Sequence, residues 1–60
     1  SAAALEARAD AFAALGKRED ARTAYAQALA KLDVGAPQRR LVELKLTDAG
    51  GTPPKPAQPI

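Results

Sequence analysis

Apolar residues in the first half of the chain recur every three or four positions. Leu5, Ala9, Phe12 and Ala13 share one face of a helix predicted over residues 2–15, while Glu6, Arg8 and Asp10 fall mainly elsewhere. Gly16 stands where that helix should end, since a residue just past a helix terminus often takes a left-handed conformation that a Cβ disfavours. Lys17 and Arg18 follow at the negative end of the helix dipole. A second helix is predicted over 18–32, with Glu19 and Asp20 in its first turn and Ala21, Ala24, Tyr25, Ala28, Leu29 and Leu32 on its apolar face. So short a connection makes the two helices antiparallel neighbours. The pattern then breaks at 33–36 and resumes at 37–48. There Pro37 is expected to open a third helix, since its missing N–H would be unpaired at that position anyway. Leu41, Val42, Leu44 and Leu46 give this helix a broad apolar face, and Arg39, Arg40, Glu43 and Lys45 a polar one. Gly50 and Gly51 end it.

Composition agrees. Alanine dominates the first 30 positions and β-branched residues are scarce, so an all-α fold is expected: a helical hairpin, a third helix capping it over 37–48, and a flexible tail over 49–60. The tail holds four of the five prolines and cannot form a regular helix. It contains two PxxP strings, Pro53–Pro56 and Pro56–Pro59, which dock in aromatic grooves in some proteins and are plain flexible ends in others.

The chain has no Cys and no His. That rules out a disulfide framework and metal sites built on thiolate or imidazole. The carboxylates Glu6, Asp10, Glu19, Asp20, Glu43 and Asp48 show no paired spacing with a nucleophile, and Tyr25 at a hairpin crossing is expected to be core, with its hydroxyl reaching a partner or the rim. No catalytic residue, cofactor site or metal site is therefore expected. A net charge of +2 does not by itself imply nucleic-acid binding. The pair Arg39–Arg40 is either an anion contact or a solvated face, and Glu43 lies one turn after Arg39, where it can pair with it. No apolar run approaches the ~18 residues of a membrane-spanning helix, and no signal-peptide pattern is present. The chain begins at Ser1 inside a helical pattern without Met, as a fragment or processed piece would.

Spacing in the two-helix unit carries the most information. Leu5, Ala9, Phe12, Gly16, Ala21, Tyr25 and Ala28 place a large residue near the start, small residues where the helices cross, and aromatics beside them. This resembles the tetratricopeptide repeat, a stacking helical hairpin. Ala9 stands for the commoner glycine, Arg8 for a leucine, and the closing proline is absent near Asp33. An ordinary alanine-rich helical hairpin is the alternative. Residues 5–48 are also similar to the C-terminal end of the YfgM family, through the "GKREDARTAY" turn from Gly16 to Tyr25, the helix headed by Pro37 and termination soon after Leu46. The resemblance implies a periplasmic tetratricopeptide-like scaffold at the bacterial inner membrane, held by an anchor outside this chain, with the SecYEG translocon and the chaperone PpiD as partners. It implies no nucleic acid and no membrane contact by these residues themselves. A generic tetratricopeptide scaffold with other partners stays open, and so does a small basic nucleic-acid binder. Because a lone repeat leaves apolar surface uncovered, Ala3, Ala7, Ala11, Ala14 and Leu15 are expected to form an open face through which the chain self-associates.

Overall fold

In the computed structural model, which describes residues 1–51, Ser1 starts the first helix: its hydroxyl accepts the Ala4 amide at 3.2 Å. Helix α1 runs Ala2–Ala14, α2 Arg18–Ala30 and α3 Arg39–Asp48. The chain is all-α, with no strand among the described residues. The expected flexible tail lies, from residue 52 on, outside those residues.

Gly16 has φ +77° and ends α1 as its pattern requires. The Lys17 amide donates to the Phe12 carbonyl at 2.9 Å and the Gly16 amide to Ala13 at 3.1 Å, which is the Schellman arrangement. The same pair of bonds closes α3, from Gly51 to Leu46 and from Gly50 to Thr47, with Gly50 at φ +91°. Each turn fixes where its helix stops, and the first also aims α2 back along α1.

The core is Ala9, Ala21, Ala24, Tyr25, Ala28, Leu29, Val42 and Leu46, with Leu5, Phe12, Leu32 and Ala49 packed partly buried against it. Alanine on both helices of the hairpin lets the backbones approach closely, and Leu29, Val42 and Leu46 then supply the bulk. Burial of each such side chain is worth roughly 1.5–3 kcal/mol. Helix α2 packs against both α1 and α3, whereas α1 and α3 barely approach each other. The result is a hairpin with a third helix laid on its second arm.

Three expectations need correction. First, α3 does not start at Pro37. Ala36–Arg39 is a turn closed by the Arg39 amide on the Ala36 carbonyl at 3.1 Å, and Gln38, at φ −77° and ψ −9°, caps the helix. Pro37 sits at the second position of that turn, where its fixed φ is equally well suited. Second, the broad apolar face of α3 is narrow. Val42 and Leu46 are buried, but Leu41 is 52 % and Leu44 57 % exposed. At about 100° per residue, both leucines point well away from the stripe set by the i, i+4 pair Val42–Leu46. Third, Ala13 is exposed, because it faces an open cleft between α1 and the end of α3.

Candidate protein-binding groove

Three helices of which only α2 touches both others leave a trough between α1 and α3. Glu6, Asp10 and Ala13, spaced i, i+4, i+7, lie along α1 on the side of α3. Lys45 and Asp48 face this side from α3. At one end of the trough is a cleft of about 390 Å³ lined by Ala13 and Gly16 of the first turn, Arg18, Ala21 and Tyr25 of α2, and Lys45, Asp48 and Ala49 of α3. Its floor is small and apolar apart from the tyrosine, and its rim is charged. Leu41 and Leu44 lie outside it, exposed on α3.

A polar network crosses the trough. Lys45 Nζ lies 2.7 Å from Glu6 Oε2 and 3.2 Å from Asp10 Oδ2. The Tyr25 hydroxyl donates to the other oxygen of Asp10. This hydrogen bond, with help from Lys45, holds the Asp10 carboxyl below its ordinary value against the opposing effect of burial. Burial, reinforced by the Asp10 carboxylate, pushes the Tyr25 hydroxyl up to about 12. The hydrogen bond to Glu6 raises Lys45, with Asp10 adding to it. All three groups therefore stay in one protonation state across the physiological range. They position one another and offer no acid or base near neutrality.

The residues picked out by repeat spacing fall in three places. Ala9, Ala21, Tyr25 and Ala28 are buried together where the helices cross. Leu5 and Phe12 are only partly buried, and Gly16 is exposed at the turn. Phe12 faces away from the trough, beside Arg8, Asp20, Thr23, Ala24 and Gln27, with the Arg8 guanidinium 5.6 Å from its ring centre. It is therefore not the interior filling expected alongside Tyr25. Gly16, Ala21 and Tyr25 reach the cleft.

Periodicity missed Lys45, Glu6 and Asp10. The i, i+4 spacing of Glu6 and Asp10 was the available signal, since it sets two carboxylates one above the other for a single cation. Their partner, 35 or more positions away, carries no local mark. The basic pair also separates. Arg39 is half-buried, donates to the Leu29 and Leu32 carbonyls at 3.2 Å each, and pairs with Glu43 at 3.2 Å. Arg40 alone is exposed, so the two arginines do not form a basic patch.

No three metal-ligating side chains gather among the described residues, and no helix among them is long and apolar enough to cross a membrane. Residues 1–51 match the family model of a tetratricopeptide repeat-like domain. No curated protein and no solved structure matches the chain.

Proposed function

Since the chain belongs to the tetratricopeptide repeat-like domain family, we propose that it is a protein-interaction module that seats a partner polypeptide in the trough between α1 and α3. The observation that carries this reading is the cleft at the end of the trough, whose small apolar floor of Ala13, Ala21, Tyr25 and Ala49 is rimmed by Arg18, Lys45 and Asp48. Leu41 and Leu44, each more than half exposed, add apolar surface on α3 outside it. Apolar side chains set in a concave surface are what a docking polypeptide covers. The role is binding without chemistry.

The finer reading follows from the resemblance of residues 5–48 to the YfgM family. On it, the module works at the periplasmic face of the inner membrane beside SecYEG, with PpiD among its partners. Photo-cross-linking in cells tests both levels. A photoreactive residue at Ala13 or Asp48, both lining the cleft, should capture a partner, and one at Ala26, exposed on the other side of α2, should not. Adducts with the translocon or its chaperone support the finer reading. Trough-specific adducts with proteins of another compartment leave the generic scaffold in its place. Equal capture at all three positions would remove the trough as the binding surface.

A further inference from the structure

Helix α3 is tied to α2 at both ends by arginines. At its start, Arg39 reaches the carbonyls of Leu29, in the last turn of α2, and of Leu32, just past it. At its finish, Arg18 at the beginning of α2 donates to the Asp48 carbonyl at 3.4 Å. Between these ties Val42 and Leu46 pack into the core. Two end ties and one narrow apolar stripe resist translation of α3 along α2 but oppose its rolling about the contact only weakly. Rolling would carry Lys45 and Asp48 toward or away from α1, and the two helices approach each other too little elsewhere to stop it. The only side chain of α3 that hydrogen-bonds or ion-pairs with α1, among the described residues, is Lys45, through Glu6 and Asp10.

We propose that Lys45 is a polar latch that sets the width of the trough: its ammonium, held between Glu6 and Asp10, fixes the roll of α3 relative to α1. Asp10 is itself braced by the Tyr25 hydroxyl, so the latch is referred to the hairpin core and not to a loose surface carboxylate. The side chains of Lys45 and Glu6 are 28 % and 20 % exposed, and that of Asp10 is 47 %. A pair so placed is partly open to counterions, and salt should loosen it without unfolding the alanine-packed hairpin. Control of partner access by this latch rests on the trough reading above, whereas the latch is a property of the free protein.

The absence of cysteine makes distance measurement direct. Spin labels at Ala7→Cys and Leu44→Cys report α1 to α3, and labels at Ala7→Cys and Ala26→Cys report α1 to α2, all on the full chain without a partner. Lys45→Met keeps the apolar stem and removes the charge. It should lengthen and broaden the α1–α3 distance while the α1–α2 distance stays as in the unsubstituted chain. Glu6→Gln should give a smaller change of the same sign. An α1–α3 distribution that is identical with and without the Lys45 charge overturns the latch. Should Lys45→Met lose helicity, the unsubstituted chain decides: raising the ionic strength must lengthen α1–α3 at constant helicity, and a salt-independent distance overturns the proposal. The trough reading stands or falls separately, on the cross-linking.

Discussion

Phe12 and Tyr25, the two aromatic residues of the chain, meet different surroundings. Tyr25 is buried at the junction of all three helices, while Phe12 is partly buried with an arginine over its outer face. Full burial would make Phe12→Ala cost ~3–5 kcal/mol. With part of the ring already in water, and a cation contact worth only ~0.5–1 kcal/mol at such sites, the expected cost is ~1–2 kcal/mol. Leu29, 1 % exposed, is the sharper probe. Leu29→Ala should cost ~2–5 kcal/mol and leave a chain of this size barely folded. Urea melts of the two variants settle the order, and a larger loss for Phe12→Ala would contradict its half-open placement.

At the level of elements, the hairpin was legible in the sequence and the third helix only in part. Gly16 announces the first turn because no other residue type tolerates that backbone without cost. A Cβ there meets nothing within 4 Å, so Gly16→Ala isolates backbone strain. It should cost ~1–2 kcal/mol. The same change at Gly35, which also has open space and no positive φ, should stay within about 0.5 kcal/mol. Equal melting shifts for the two alanine variants would mean that the turn is not held in the left-handed form. The start of α3 was misread because Pro37 suits both the first position of a helix and the second position of a turn, and local sequence does not choose between them. Leu41 and Leu44 were misread because four leucine-class residues within six positions hide which two the neighbouring helix covers. The trough was illegible for a different reason: Lys45 finds its carboxylates across the fold, and no periodicity records that.

The whole molecule inherits a pH profile from that network. Tyr25 and Lys45 are both raised in the folded state, so the stability they contribute is complete below about pH 10 and is lost as pH climbs toward about 12, where folded Tyr25 titrates. Asp10 is lowered, so its contribution is present above about pH 4 and fades as pH falls further. Thermal melts across pH should therefore show a plateau through neutrality with a fall beyond pH 10. Tyr25→Phe should flatten part of that alkaline fall, and an unchanged alkaline limb would show that the hydroxyl is uncoupled from folding. On the outer side of α1, Ala3, Ala7, Ala11, Ala14 and Leu15 are exposed, Leu15 at 71 %. Repeat folds cover such faces by stacking. The isolated chain is expected to associate as its concentration rises, and Ala7→Glu or Ala11→Glu should abolish this without loss of helicity. Sedimentation over a concentration series checks it, and association that persists in both variants would place the contact elsewhere.

The two ends of the hairpin are finished in different ways. The last carbonyls of α1 are satisfied by amides of the next few residues, so that helix can close as soon as it is made. Helix α2 has no glycine at its end: its last turn closes on the Leu29 carbonyl through the Leu32 amide at 3.1 Å. The Leu32 carbonyl, just past the helix, takes its donor from Arg39, seven positions further on. A terminus left with bare carbonyls frays. In a chain emerging from its amino end, the first helix can therefore be complete at both ends while the residues just past the second keep the Leu32 carbonyl bare until the third begins to form. The Arg39 guanidinium, together with the packing of Val42 and Leu46, couples folding of the second and third helices, which favours collapse as a single cooperative unit over a finished hairpin with an appendage.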